Sequence, residues 1–383
     1  MDFELNEEQR LMIHAVREFA DGEIVPRARE MDEEARIPQE ILDQMTELGL
    51  FGAVIPEAYG GTGLDTLTYS GVIEELARAC GGISIVLSVH CSVAAYPLLR
   101  FGTEEQRQRL LPELAGGKIG AFCLSEPDHG SDAGSIQTSA RKDGNDYLLN
   151  GQKVFVTNGR IGSYYLVIAR TDPEVSPRHR GISAFFVHRD TPGLTLGRKE
   201  EKMGLRASDT MEVFFEDCRV PAENLIGKEG EGFKIAMMSL DNGRIGVGSQ
   251  ALGIARAAFE EAVRYAKERK QFGHPLVHFQ AIQNKLADMG TRIKAARLLV
   301  QQAAWMKDQS VPFSCQAAMA KVYASEMATW VTHQSAQIFG GYGYMKEYPV
   351  ERYYRDARVT EIYEGTSEMQ RLVIARSLLH GNR

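Results

Sequence analysis

The stretch GQKVFVTNGRIGSYYLVIART (Gly151–Thr171) decides the fold class, because its apolar residues alternate or run in short β-branched and aromatic blocks instead of recurring at helical spacing. With GISAFFVHR (181–189) and TMEVFFEDCRV (210–220), and with turn residues in RKDGNDY (141–147) and RDTPGL (189–194), it predicts a β domain over residues 119–228. The connections are too short for crossover helices, so antiparallel pairing in a barrel or sandwich is expected.

On either side the period returns to helix. In the first 118 residues, EEQRLMIHAVREFADGEIVPRARE (7–30) places Leu11, Val16 and Phe19 near one another, and QEILDQMTELGL (39–50) meets a stop at Gly49. VIPEAYGGTG (54–63) is a loop by its Pro and Gly content. TLTYSGVIEELARAC (66–80) and SIVLSVHCSVAAYPLLRFG (84–102) follow as helices, the second apolar nearly all round and so buried. From residue 229 to 383, Phe233, Ala236, Met237 and Leu240 are spaced i, i+3, i+4, i+7, and long helical segments follow at 244–270, 279–309 and 313–339. The expected fold class is therefore α+β: an N-terminal α-helical domain, a middle antiparallel β domain and a C-terminal four-helix bundle.

Composition narrows the function classes. A formal net charge of −7 gives no electrostatic reason to bind nucleic acid or an anionic membrane. The opening MDFELNEEQR has neither a basic-then-apolar signal nor an Arg-rich transit pattern, and no uninterrupted apolar run is long enough to span a bilayer. A soluble intracellular protein is expected, cytoplasmic in a bacterium, or in the mitochondrial matrix after processing in a eukaryote. Cys80, Cys91, Cys123, Cys218 and Cys315 are scattered and never form CxxC, which suits buried free thiols. His274 and His278 stand four apart, but Pro275 lies between them and no acidic base accompanies them, so no metal site is expected.

Two patterns invite misreading. GVGSQA (246–251) satisfies GxGxxA, yet lies inside a helical pattern instead of after a strand, so the turn that brings backbone to a pyrophosphate is missing. SEPDHGSD (125–132) holds Ser, His and Asp in one loop, whereas triad members converge from separate segments. The same loop offers Gly130 and Ser131 as donors to a planar, hydrogen-bonding cofactor, and Phe155 and Thr157 offer an aromatic face and a hydroxyl on a neighbouring strand. Near the C-terminus, RVTEIYEGTSEMQRLVIARSLL (358–379) contains Glu361, Glu364 and Glu368. Ser367-Glu368-Met369-Gln370 reads as a capping box, which makes the glutamates candidates for plain helix-start residues. Glu364 differs, lying between Tyr363 and Gly365 ahead of the cap, where a carboxylate can project into a cleft.

FCLSEPDHGSD, KVFVTNG, DNGRIGVGSQALGIA, YAKERKQFG, QIFGGYGY and IYEGTSEMQRLVIA occur together, in this order. Their combination and spacing resemble the acyl-CoA dehydrogenase family over essentially the whole chain, most of all its short-chain (butyryl-CoA) members, with enzymes for branched or cyclic acyl-CoAs close by.

The resemblance implies FAD as cofactor, Glu364 as the base that removes the pro-R α-proton of an acyl-CoA, and hydride transfer from the β-carbon to flavin N5, giving a trans-2-enoyl-CoA. It implies that the carbonyl oxygen is held by the Glu364 main-chain N–H and a ribityl hydroxyl. Some members carry the base instead at the position of Gly243, where glycine cannot act as one. FAD contacts carried over are Leu124, Ser125, Gly130, Ser131, Phe155, Thr157, Thr366 and Glu368. Arg269, Phe272, Gln280, Gln337 and Gly341 resemble positions that reach the FAD of a neighbouring subunit, which implies a homotetramer arranged as a dimer of dimers. Ser131, Asp241 and Arg244 resemble CoA contacts, and Tyr363 and Gly365 lie on the acyl side. Electrons are expected to pass to an electron-transfer flavoprotein.

For acyl size, Val89, Cys91, Ser92 and Ala95 are candidates for the pocket floor, each equally readable as core, and Met237 and Leu240 read as core. His90-Cys91 departs from the Asn-, Gln- or Leu-containing versions of straight-chain members. Glutaryl-CoA dehydrogenase, acyl-CoA oxidase and a non-catalytic flavoprotein are the alternatives. The first needs a cation for a distal carboxylate, and no arginine precedes Arg100 in this helix.

Overall fold

The structure is a computed structural model that describes residues 4–381. The period-two region forms β1 (Gly120–Cys123), β2 (Ser139–Asp143), β3 (Asp146–Thr157), β4 (Tyr164–Arg170), β5 (Ile182–His188), β6 (Leu194–Lys199), β7 (Thr210–Pro221) and β8 (Leu225–Ile226). They join in one sheet of order β6-β7-β3-β2-β4-β5-β8, with β1 paired to β4. Pairing is antiparallel as expected, except that β1 runs parallel to β4 and β2 meets β4 in parallel at Ser139 and Arg170. No crossover helix is needed there, because β2 and β3 intervene in the chain between β1 and β4. Tyr165, Val167, Phe185, Val213 and Phe215 pack into the core of this region.

The N-terminal helices are α1 (Glu7–Phe19), α2 (Ala28–Glu34), α3 (Gln39–Glu47), α4 (Thr66–Ala79), α5 (Gly81–Val89), α6 (Tyr96–Phe101) and α7 (Glu104–Ala115). Asn6 and Thr103 begin α1 and α7 with reciprocal capping boxes, through Gln9 and Gln106. The inward face of α1 is Met12, Val16 and Phe19, spaced i, i+4, i+7, whereas the expected Leu11 is 61% exposed. Gly49 ends the α3 segment at φ +69°, a conformation that favours glycine.

From α5 through a π-helical turn at His90–Ala95 into α6, the 21-residue helical stretch Gly81–Phe101 contains an 18-residue window of mean hydropathy 1.7 and has the length and composition to cross a membrane. Ser84, Ser88, His90 and Ser92 interrupt the stretch, so it is not the uninterrupted apolar run that the sequence reading excluded. The most apolar window is 89% buried inside the protein, which identifies a core helix. His90, where the π turn starts, fastens it: Nδ1 accepts from Gly120 N at 3.0 Å, so Nε2 carries the proton to Phe51 O at 2.8 Å. Burial pulls this imidazole down to about 4, so it stays neutral at pH 7.

The C-terminal helices are α8 (Gly232–Glu268), α9 (Gln280–Asp308), α10 (Ser314–Phe339), α11 (Val350–Arg358) and α12 (Ser367–His380). α8, α9 and α10 pack on one another, with α12 against α10 and α4 lying across α8 and α9. α8 is one 37-residue helix despite its glycines. A Cβ at Gly253 would come within 2.3 Å of Glu74 O and 2.7 Å of Ala77 Cβ, so this glycine lets α8 approach α4. Beside that contact, Arg256 and Arg297 each lie 2.6 Å from Glu74.

Gly253→Ala is therefore expected to cost about 1–3 kcal/mol through overpacking. Gly290→Ala on α9, where a Cβ meets only Phe259 at 3.6 Å, is expected to gain about 0.4–1 kcal/mol. Urea midpoints of the two variants should move in opposite directions.

Candidate active site

The turn between α11 and α12 places Glu364. Glu364 has φ +50° and Gly365 φ +93°, so two consecutive residues occupy the left-handed region. α12 starts one residue earlier than the expected box: Thr366 is the cap, its hydroxyl accepting from Met369 N at 3.3 Å. Gln370 is then not a capping partner. Its Nε2 turns back to Gly365 O at 2.8 Å and Glu364 O at 3.2 Å. Glu368 stands exposed in the first turn, and Glu361 is tied to Thr329 and, at 2.7 Å, to Arg358.

Glu364 as a whole is half-buried, but both carboxylate oxygens are buried and have no hydrogen-bond partner. They face α8 at Gly243, where a Cβ would lie 1.8 Å from Oε2. Only glycine leaves this space. Burial raises the Glu364 carboxyl to about 7, while the charges of Lys321 and Arg244 pull in the opposite direction. Arg244 is itself buried and paired with Asp241, which also accepts from Ser314 Oγ, and its Nε has no partner. The Tyr363 hydroxyl donates to Gln250, whose Nε2 donates to Gly81 O at 2.8 Å, linking the turn to the start of α5.

Tyr363 also joins Ile85, Val89, Val93, Phe122 and Leu205 in one small apolar cluster. This separates the pocket-floor candidates. Val89 shares the cluster with Tyr363, whereas Cys91 and Ala95 belong to other cores and Ser92 Oγ bonds back to Ser88 O at 2.6 Å. Met237 and Leu240 pack, partly buried, against the core that contains Leu98 and Ile235.

The β-region residues converge on a second edge. Val154 N donates to Ser125 O at 2.9 Å, and Lys153 Nζ donates to Leu124 O at 2.9 Å and to Glu126 at 2.8 Å, so the Leu124–Ser125 segment lies against β3. The register of β3 slips between Lys153 and Val156. Within that bulge Phe155 takes φ +57° and is 69% exposed, presenting its ring outward as a flat platform. Gly130 and Ser131 are exposed further along the loop, after a turn closed by Glu126 and His129. Burial alone would push Glu126 up, but Lys153 and the donors at Thr138 and Gln137 more than offset it and hold this carboxyl below its ordinary range.

Arg269, Phe272, Gln280, Gln337 and Gly341 are exposed and lie elsewhere. Arg269 and Gly341 line a groove of about 520 Å³ with Tyr342 and Phe339. Arg244 and Arg269 are separated by a helical run of 25 residues, about 38 Å at the α-helical rise. Arg269, and with it the groove it shares with Gly341, therefore lies far from the Glu364 site within one chain. Among the described residues no cluster of His, Cys, Asp and Glu has a metal-binding arrangement.

Family comparison extends along nearly the whole chain. The acyl-CoA dehydrogenase N-terminal, middle and C-terminal domains match residues 6–118, 121–218 and 230–379. The chain belongs to the acyl-CoA dehydrogenase family. It is 51% identical over 381 residues to the mitochondrial short-chain specific acyl-CoA dehydrogenase of Mus musculus, covering 99% of this chain and 92% of that protein. The solved butyryl-CoA dehydrogenase of Megasphaera elsdenii superposes with a TM-score of 0.97 at 48% identity, covering 99% of this chain and all (100%) of that one. A chain solved in work on the electron transferring flavoprotein of Acidaminococcus fermentans and flavin-based electron bifurcation gives a TM-score of 0.97 at 49% identity, covering 99% and 100%.

Around Glu364, sequence reasoning missed Lys321, Gln370 and Gln250. Lys321 carried a signal: it is a lone cation in the small and apolar run AAMAKVYA (317–324). The Lys153–Glu126 pair, buried on both sides, is expected to be the structural anchor of the β edge. Lys153→Met should lower unfolding free energy by about 3–5 kcal/mol, and adding Glu126→Gln should recover part of that loss in denaturant titrations.

Proposed function

We propose that this chain is an FAD-dependent dehydrogenase that oxidises the Cα–Cβ bond of a short, branched or cyclic acyl-CoA to the 2-enoyl-CoA, with Glu364 as the base. The observation that carries the reading is the Glu364 carboxylate, buried, unpartnered and raised to about 7. A carboxylate committed to a hydrogen bond or a close ion pair is a weak base, whereas one held by burial near neutrality is poised for proton transfer. An α-proton of a thioester is weakly acidic, so the site must also stabilise charge at the carbonyl oxygen. The main-chain N–H of Glu364, fixed by the left-handed turn, serves that purpose in this reading.

The exposed Phe155 platform and the loop donors at Ser125, Gly130 and Ser131 fit a flat, hydrogen-bonding ring system, with Leu124 and Thr157 beside it and Thr366 and Glu368 on the α12 side. FAD bound there supplies a hydride acceptor for the β-hydrogen. Ser131, Asp241 and Arg244 hold the CoA moiety, while Tyr363 and Gly365 border the acyl group and Val89 its floor. The distance between Arg244 and Arg269 supports assigning Arg269, Phe272, Gln280, Gln337 and Gly341 to the FAD of a second copy. Phe272 and Tyr344, 90% and 87% exposed, support burial in a homotetramer. The neighbour from work on an electron transferring flavoprotein supports a partner of that kind as electron acceptor. The mitochondrial mouse relative and the Megasphaera structure support either a mitochondrial matrix or a bacterial cytoplasm.

Anaerobic titration of the yellow protein with butyryl-, isovaleryl-, cyclohexanecarboxyl-, glutaryl- and octanoyl-CoA tests the reading. Bleaching by a short, branched or cyclic ester is expected; bleaching by none of the five overturns it. Gly243→Ala should retain FAD while slowing bleaching about 100-fold, because its methyl group displaces the Glu364 carboxylate.

A further inference from the structure

Lys321 is fully buried on α10. Its Nζ donates to Gly365 O at 2.8 Å, the same oxygen that accepts from Gln370 Nε2 at 2.8 Å. A carbonyl with two donors, one of them an ammonium, is a firm anchor for a turn whose two residues both sit at positive φ. Burial lowers Lys321 to about 8, so the group remains mostly cationic at pH 7.

The groups that face Glu364 are few. Lys321 comes from α10 and Arg244 from α8. Tyr69 from α4 and the adjacent Tyr363 face it as phenols that burial keeps neutral. Arg244 is engaged by Asp241. Glu361 and Glu326 also face Lys321, but they are paired with Arg358 and Arg371 respectively. Lys321 therefore holds the cation beside Glu364 that is not already paired with another carboxylate.

We propose that Lys321 is the positioning residue of the base: its ammonium anchors the Glu364–Gly365 turn through the Gly365 carbonyl, and its charge favours the ionised form of the unpartnered Glu364 carboxylate. This rests on the reading of Glu364 as the base. The sign of the effect is fixed. Removing a neighbouring positive charge favours the protonated acid, so the Glu364 midpoint rises, by about 1–3 pH units for a close charge. The acid limb of substrate-driven flavin reduction then moves to higher pH. Below both midpoints the rate is lower than that of the wild type by about tenfold for every pH unit the midpoint has risen.

The test uses the FAD-loaded protein. The Glu364 carboxyl is titrated by infrared difference between each protein and the same protein carrying Glu364→Gln, and the pH profile of anaerobic flavin reduction by butyryl-CoA is measured alongside. Wild type is expected to titrate near 7. Lys321→Met should titrate at least one pH unit higher with its acid limb displaced equally. Lys321→Arg, which keeps the charge, should restore the wild-type midpoint. Lys321→Gln keeps a donor for Gly365 O and serves if the Met variant does not fold; its midpoint should rise as well. A purely structural lysine would lower the rate by the same factor at every pH and leave the carboxyl midpoint unchanged, and that result overturns the proposal. If wild-type flavin is not bleached by any acyl-CoA, the base reading fails, while the carboxyl titration still decides whether Lys321 acts on Glu364.

Discussion

The structure around Glu364 is organised by one constraint: a carboxylate enclosed by protein without a hydrogen-bond partner. An unsatisfied buried polar group costs about 1–3 kcal/mol, and more when charged, so the protein must hold the side chain there against its own preference. Three features do so. α8 is bare at Gly243, the turn is locked in a left-handed pair of residues, and Lys321 and Gln370 converge on one carbonyl behind it. The groups involved come from different helices, so the site exists only when α8, α10 and α12 are packed.

The same constraint gives the long helix its meaning. α8 carries Gly243 and Arg244 about a third of the way along, Gln250 a few residues on, and Gly253 and Arg256 where α4 crosses. Gln250 ties Tyr363 to α5, which sets the apolar wall beside Glu364. The β region contributes a second rigid edge, with the Lys153–Glu126 pair fixing the loop and a bulge turning Phe155 outward. Groups placed on rigid elements hold their relative geometry, and here Glu364 and the aromatic platform sit on separate bodies joined through β1 and α5.

Much of this was legible from local pattern. Alternation over 151–171 and 181–189 reported β3, β4 and β5, and apolar spacing reported α9 and α10 to within one residue at each end. Gly49 announced its turn. The sequence reading of α1 named Leu11, whereas Met12 faces inward: both are apolar, and only packing against α4 selects the phase. The parallel β1–β4 pair was not legible, since pairing between segments separated by two strands leaves no local trace. At the site, Glu364 was visible as an acid beside glycine ahead of a cap. Its partners were not: the cap lies at Thr366 instead of Ser367, which frees Gln370, and Lys321 reaches the turn only through tertiary contact. His90 illustrates the opposite case. It looked like a specificity signal and proved to be a neutral bracket between Phe51 and Gly120.

The most direct measurement is stopped-flow anaerobic reduction of the bound flavin by butyryl-CoA in wild type and in Glu364→Gln, with FAD content and thermal unfolding checked for both. An amide of the same shape keeps the packing against Gly243 but accepts no α-proton. The account predicts that the variant holds FAD and fold normally while its reduction rate falls by about 100-fold or more. Reduction at the wild-type rate in a folded, FAD-loaded Glu364→Gln protein would contradict it, and would move the base to a residue other than the one the whole turn is built to hold.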